Sequence, residues 1–410
     1  MLVCGAILAC LCTQPVAAVD RQSFAAWLAE FRQEALRFGI SGSVFDQALA
    51  GVKPNYKLPD LAVARRTSKP RGQAEFVRPP QAYMNTKTLD RLAAQGRLLA
   101  ERHRTALQQI ERQLGIAPHI VLAVWGRETA FGGYRLPHNA IHALATQAYI
   151  GNRRRVFRRE LLYALKLIED GVATKAQLKS SWAGAIGLTQ FMPSEYDDLA
   201  YDLDRDGRKD LWSPGDALAS AANQLRRKGW EVGKTWGFEV RLPPRVTCAM
   251  DGPHDARTVA QWAALGVRRT RNRAFAPRYT GEVAFLFTPG GGMGPAFLIL
   301  ENFMVIKRYN PSDLYALFVG HLADRIAGGG TFATPWRNIR QLRTAAIKEI
   351  QARLKSNGYA INKVDGKIGA NTRSQIGRYQ TRHRLTVDCW PGEKLLAHVR
   401  SRAGSKEKSR

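Results

Sequence analysis

The sequence predicts a mainly helical α+β fold: a helical core with a small β subdomain and an EF-hand-like loop, followed by a small three-helix domain. Three observations carry this expectation. Apolar residues recur at helical spacing through most of residues 20–229, the pattern of helices that bury one face. From residue 238 the pattern changes to short β-branched or apolar runs parted by turns such as Pro289-Gly290-Gly291-Gly292. Beyond Gly328-Gly329-Gly330 and Pro335, three short helical stretches stand apart, which puts a boundary between about 328 and 342. The 410 residues, 45% hydrophobic and 23% charged, have ample length for a sizeable core in two or three domains.

Residues 1–18 are apolar, too short for a comfortable membrane span, and end in the small-residue site Val16-Ala17-Ala18. They read as a secretory signal peptide, which predicts an exported, periplasmic protein. The usual positive n-region is missing, so the true start is expected upstream of Met1. Ile7-Leu8-Ala9-Cys10 is a loose lipobox, and lipoprotein anchoring at the outer membrane stays open as an alternative. Phe24, Trp27, Leu28, Phe31, Ala35 and Phe38 trace one helical face, which Gly39 ends. Five prolines over 52–82 read as an extended surface crossing. Helices are expected over 86–114, from Pro118 to the pair Gly132-Gly133, and over 139–150, 156–170 and 214–229. Strands are expected at 238–242, 282–288 and 296–300, with 305–309 as a further one, before a helix at 314–326. The last unit has a helix stopped by Gly358, a second opened by Thr372 and a short third at 393–399. The expected division is a signal peptide at 1–18, a large domain at 19–335, a small one at 336–402 and a disordered tail at 403–410.

Lys and Arg number 62 against 34 Asp and Glu, a formal charge of +28. Such a balance attracts polyanions: nucleic acid, an anionic membrane face or an anionic cell-wall polymer, with a merely solvated basic surface as the bland alternative. No nucleic-acid motif accompanies the charge, and an exported protein seldom meets nucleic acid, so no nucleic-acid partner is expected. Of the five cysteines, Cys4, Cys10 and Cys12 leave with the signal. Cys248 and Cys389 fall in different expected domains, and sequence alone does not pair them.

Three stretches carry chemistry. In the first, Ile120, Val124 and Glu128 share one helix face. A carboxylate at the end of an apolar face is either neutralised by a cation such as Arg127 or kept for catalysis. In the second, Ser181 to Pro193, the small residues Ala183, Gly184, Ala185 and Gly187 permit close backbone approach. In the third, Asp202, Asp204, Asp206 and Asp210 stand at positions 1, 3, 5 and 9 of a loop with Gly207 at position 6, the start of an EF-hand-type calcium loop. Arg208 would ligate through its carbonyl. The glutamate expected at position 12 is Ser213, and Asp216 is the nearest substitute. An acidic turn without metal is the alternative.

Trp125-Gly126-Arg127-Glu128-Thr129-Ala130-Phe131-Gly132 resembles the catalytic-Glu motif of the lytic murein transglycosylase B family, glycoside hydrolase family 103. Residues 181–193, the aspartate loop with Ala219-Ser220-Ala221-Ala222-Asn223, and Arg308-Tyr309-Asn310 with Tyr315 match further blocks in the family's order. The resemblance covers about residues 20–335. Residues 346–399 separately resemble the small helical peptidoglycan-binding domain through 364–369, Thr372-Arg373, Ile376 and Tyr379-Gln380. The resemblance implies a lysozyme-like catalytic fold that cuts the β-1,4 bond between N-acetylmuramic acid and N-acetylglucosamine and leaves a 1,6-anhydromuramoyl end. It implies Glu128 as the catalytic acid, and Ser181, Gln190, Tyr309, Tyr315 and Tyr83 along the sugar cleft. For calcium it implies Asp202, Asp204, Asp206, Arg208 and Asp216. The expectation is that catalysis needs no cofactor, that any bound calcium has a structural role, that the partner is the peptidoglycan strand, and that the chain acts as a monomer. One departure stands out: Gln224 follows Asn223 where the family has a cleft tyrosine.

Glycoside cleavage commonly uses two carboxylates. Near Glu128 in sequence are only Glu111 and Glu160, neither in a motif. A single Glu128 serving as acid and then base suits this, with the muramoyl 6-hydroxyl as a tethered nucleophile. The alternatives are a water-using muramidase and a non-catalytic peptidoglycan-binding protein.

Overall fold

The structure, a computed structural model, describes residues 22–62 and 78–407, with side chains as far as 402. The signal-type segment 1–18 and residues 63–77 of the proline-rich crossing lie outside the described residues. Among the described residues no helix is long and apolar enough to cross a membrane.

Two helical cores stand side by side. The first is built by α1 (Phe24–Arg37) and α2 (Gly42–Leu49) against two later helices. Ser23 and Ser41 cap these helices, their hydroxyls accepting from Ala26 N and Val44 N. The chain then passes a short α3 (Pro80–Tyr83) into the second core: α4 (Thr86–Arg102), α5 (Arg104–Leu114) and α6 (Pro118–Thr129). The single helix expected over 86–114 is two, because His103 turns out of helical geometry at φ −106°, ψ 23°. From Ile120 to Gly126 every residue of α6 is buried, so this helix is a central strut rather than an amphipathic surface helix. Each large apolar side chain buried there contributes roughly 1.5–3 kcal/mol. The short strand β1 (His138–Asn139), then α7 (Ala140–Ile150) and α8 (Arg154–Glu169), return the chain to the first core. Strand β2 (Lys179–Ser180) pairs antiparallel with β1, followed by α9 (Tyr196–Leu199) and α10 (Pro214–Arg227).

The β subdomain contains β3 (Gly237–Arg241), β4 (Arg257–Thr258), α11 (Val259–Ala264), β5 (Arg268–Arg269), β6 (Val283–Phe287) and β7 (Ala296–Ile299). Its sheet has the order β4-β6-β7-β3-β5, antiparallel throughout. Alternation along the strands sorts the side chains. Phe238, Val240, Leu286 and Leu298 pack with Trp262 on one face, while Phe287, Phe297 and Ile299 join the second helical core on the other. A sheet covered on both faces explains strands that read as continuous apolar runs.

The strand expected at 305–309 is a helix, α12 (Glu301–Tyr309). Its β-branched Val305 and Ile306 look strand-like, but Asn302, Phe303, Val305 and Ile306 are the buried set, which is a helical spacing. Asn302 fixes the start of the helix by accepting from Glu231 N and donating to the carbonyls of Glu231 and Lys234. Helix α13 (Asp313–Ile326) follows almost at once and is buried along most of its length.

The C-terminal unit is α14 (Thr344–Ser356), α15 (Ala370–Arg382) and α16 (Glu393–Glu407) around Ile350, Leu354, Ile376, Tyr379, Leu395 and Val399. Helix α16 runs well beyond the expected 393–399 and through Gly404, where a disordered tail was expected. Lys and Glu after Gly404 are good helix formers and nothing there stops the helix; residues 408–410 lie outside the described residues. This unit is docked on the β subdomain. Cys248 and Cys389 form a disulfide, Cα to Cα 6.0 Å. Gly292 N donates to the Asp388 carbonyl at 2.9 Å. Arg373, 2% exposed, pairs with the fully buried Asp251 at 2.7 Å and lies over the Phe287 ring.

Candidate active site

Pro118 occupies the first turn of α6, where its missing N–H is no loss. The helix was expected to stop at Gly132-Gly133, but it stops earlier. Ala130 and Phe131 both take left-handed backbone geometry, at φ 49° and 59°, ahead of Gly132 at 79°. Phe131 then folds back beneath the helix, and a Cβ on Gly126 would stand 2.7 Å from its ring. Gly126 is therefore required by this close approach. The buried Thr129 donates to the Leu188 carbonyl at 2.7 Å and accepts from Gly132 N. These bonds fasten the end of α6 to the small-residue loop of the 181–193 block.

Glu128 emerges half-buried beside that junction. Tyr315, from α13, donates its hydroxyl to Glu128 Oε1 at 2.5 Å. Burial first, and then the Glu128 charge, push the Tyr315 hydroxyl well above the usual tyrosine range. Tyr315 therefore remains a proton-bearing donor to the carboxylate. The Tyr309 ring lies parallel to that of Tyr315, centroids 6.5 Å apart, and its hydroxyl donates to the Thr189 carbonyl at 2.6 Å. Arg127 lines the same arm of the groove as Glu128. Its Nε and Nη2 donate to the Tyr83 hydroxyl, and its guanidinium lies over the rings of Tyr83, Phe318 and Tyr315. Burial opposes the Arg127 charge, but Tyr83 and Glu128 outweigh it and raise its pKa.

Two concave arms meet at Glu128 and Tyr134. One, of about 620 Å³, is lined by Tyr83, Asn85, Thr88, Arg91, Arg127 and Phe318 among others. The other, of about 370 Å³, is lined by Pro59, His138, Ser181, Trp182 and Gln190. The shared lining makes one groove that crosses Glu128. Gln190 is held at φ 58°, an uncommon state for a non-glycine residue, and its Nε2 donates to the Gly187 carbonyl at 3.0 Å. The Ser181 hydroxyl accepts from Ala185 N at 3.2 Å. Gly187 abuts the Leu211 carbonyl, 2.8 Å from where a Cβ would stand. The groove loop therefore rests directly on the aspartate loop.

In that loop the carboxylate oxygens of Asp202, Asp204 and Asp216 lie within 4.8 Å of one another. Asp216 is buried, which raises its pKa, and its two oxygens accept from Leu203 N and Asp210 N. Asp206 is not in this cluster; its Oδ1 accepts from Arg208 N at 2.8 Å. Three converging carboxylates are a donor set that fits a hard cation.

Of the expected groove residues, Ser181 and Gln190 line one arm and Tyr83 the other, with Tyr315 and Tyr309 behind Glu128. Sequence reasoning missed Tyr134 and Trp182, although both lie in or beside the quoted blocks. It also missed the polar set behind Tyr309. Gln224, where the resemblance expects a tyrosine, donates to Glu195 Oε1 at 3.0 Å, and Lys228 pairs with the same oxygen and lies over the Tyr309 ring.

A half-buried carboxylate in an aromatic-lined groove, on a mainly helical core, suits a glycan-cleaving class of protein. Residues 23–324 match the family described as Transglycosylase SLT domain, and the chain belongs to that family of lytic transglycosylases. Residues 343–398 match a peptidoglycan binding domain. The membrane-bound lytic murein transglycosylase B of Escherichia coli (strain K12) is 32% identical over 224 residues, 54% of this chain and 60% of that protein. The matched chain thus spans about three fifths of that relative. SltB3 from Pseudomonas aeruginosa, solved with NAG-anhNAM-pentapeptide and with NAG-NAM-pentapeptide, is 38% identical. It superposes with a TM-score of 0.84 over 92% of this chain and 100% of its own. The Escherichia coli lytic transglycosylase Slt35, solved in complex with calcium, is 26% identical, with a TM-score of 0.58 over 73% and 92% of the two chains.

Proposed function

We propose that this chain is an exported peptidoglycan lytic transglycosylase. It cleaves the MurNAc–GlcNAc β-1,4 bond and leaves a 1,6-anhydromuramoyl end, with Glu128 as acid and then base. The observation that carries the reading is the place of Glu128: at the junction of two groove arms, held by the Tyr315 hydroxyl. A glycan strand lies along both arms with the scissile bond over Glu128. The protonated Glu128 gives its proton to the glycosidic oxygen as the C1–O bond breaks. The substrate's N-acetyl group shares the positive charge that develops at C1. Glu128, now a carboxylate, takes the proton of the muramoyl 6-hydroxyl as that oxygen bonds to C1. This nucleophile belongs to the same sugar, so little entropy is lost in positioning it. Tyr315 keeps the carboxyl aimed through both steps, while Ser181, Gln190, Tyr309 and Tyr83 order the sugars.

Asp202, Asp204 and Asp216 would hold a structural calcium ion, with the Arg208 carbonyl as a further oxygen ligand. The C-terminal domain binds peptidoglycan, and the excess positive charge favours its anionic groups. The protein works in the periplasm; anchoring to the outer membrane depends on acylation of Cys10.

Mass spectrometry of digested peptidoglycan tests the reaction. Anhydro ends are expected; reducing ends would indicate a water-using muramidase, and intact strands a binding protein only. The Glu128→Gln variant is expected to abolish cleavage while sedimenting with cell walls as the wild type does. Residual anhydro product from that variant would sink the assigned role.

A further inference from the structure

Arg373 of the C-terminal domain is buried against the β subdomain and the start of α13. Arg373 belongs to the Thr372-Arg373 pair that marks the wall-binding domain, yet it does not face outward. Its Nε donates to Asp251 Oδ2 at 2.7 Å and its Nη2 to Asp251 Oδ1 at 3.3 Å, inside the β subdomain. The same Nη2 stands 3.7 Å from Asp313 Oδ2. Asp313 opens α13, and its other oxygen pairs with Lys307 of α12 at 2.7 Å. Burial works to raise the Asp313 pKa, but Lys307 and Arg373 outweigh it and hold the carboxyl below its ordinary range.

This trio brackets the turn that carries the groove tyrosines. Lys307 lies two residues before Tyr309, and Asp313 two residues before Tyr315. Ser312 caps α13 between them, accepting from Tyr315 N at 3.2 Å. Anything that shifts the start of α13 therefore shifts the hydroxyl that donates to Glu128 Oε1. The Asp313 charge also stands at a helix N-terminus, where it favours the first turn.

We propose that Arg373 is a positioning residue for the active site, acting from the C-terminal domain through Asp313 to set Tyr315 against Glu128. The proposal rests on the catalytic role given to Glu128 above. The C-terminal domain is then a buttress of the groove as well as a binding domain. Its docking is secured separately by Cys248–Cys389 and by the Gly292–Asp388 bond, so the arginine can be changed with the domain still in place.

The test uses the full oxidised chain and soluble glycan strands. Arg373→Met is made together with Asp251→Asn, so that no buried carboxylate is left without a cation. This pair is expected to lower kcat on the order of ten- to a hundredfold with KM unchanged, the scale for small displacements of a reacting group. Arg373→Lys is expected to recover part of the loss. In a Tyr315→Phe background the same pair is expected to change kcat no further, because the arginine acts through that hydroxyl. Wild-type kcat in the paired variant, or losses that multiply in the Tyr315→Phe background, overturns the proposal. Should the paired variant fail to fold, Asp313→Asn, which leaves Arg373 on Asp251, is judged by the same two readouts. Failure of the wild type to release anhydro ends would instead strike the reaction assigned above.

Discussion

His321 is buried on α13 with its ring stacked on Phe332 at 3.8 Å, and Arg325 lies one turn further along. Burial and then Arg325 lower its pKa from 6.5 to about 3. The folded state therefore keeps this imidazole neutral over a range in which the unfolded chain protonates it. Between pH 6.5 and about 3 the unfolded state binds the extra proton, so stability falls as pH falls through that window. The slope for one such group is about 1.4 kcal/mol per pH unit. His321→Gln is expected to flatten the acid limb of a plot of melting temperature against pH, relative to the wild type. An unchanged acid limb would show that His321 does not govern it. At this scale the groove was partly legible in the sequence. Glu128 stood out because a carboxylate ended an otherwise apolar face, and Tyr309 and Tyr315 because of the blocks they belong to. Arg373 was not legible: its partner Asp251 is 122 residues away, and no local pattern shows that a charged motif residue points inward.

Among elements, the aspartate loop and α12 show opposite limits of sequence reading. The loop announces itself, since alternating aspartates with a glycine at the sixth position have few other uses. It leaves open which carboxylates converge, and folding decides that Asp216, from the next helix, joins Asp202 and Asp204. In α12 the local preference of Val305 and Ile306 for strand is overridden by what surrounds them, a tertiary effect that no short window contains. The loop matters to the groove because Gly187 and Leu188 rest on Leu211, and Leu188 N donates to the Leu211 carbonyl at 3.0 Å. With calcium at a hundred times its Kd, a one-site ion contributes about 2.7 kcal/mol to stability. A chelator is therefore expected to lower the melting temperature, and Asp202→Asn to remove most of that response. A melting temperature indifferent to both chelator and calcium would exclude the ion.

For the molecule as a whole, the broad division into a large helical domain, a β subdomain and a helical C-terminal unit followed from periodicity and from the glycine run at 328–330. Their mutual arrangement did not, because it rests on contacts between distant segments: a buried ion pair, a disulfide and a sheet covered on both faces. The disulfide closes the backbone into a ring of sequence separation 141. That ring contains Tyr309, Tyr315 and Arg373 but leaves Glu128 outside it. The exposed glycines at 328–330 lie within the ring, where they are open to a protease. Such a cut opens the ring into a fork without releasing either branch. The nicked protein is expected to migrate as one species on a denaturing gel and as two after reduction. Two species without reductant would mean that the cysteines are not joined. A protein built this way survives a break in its backbone there, and a second, chemically different event, reduction, is needed to part the two pieces.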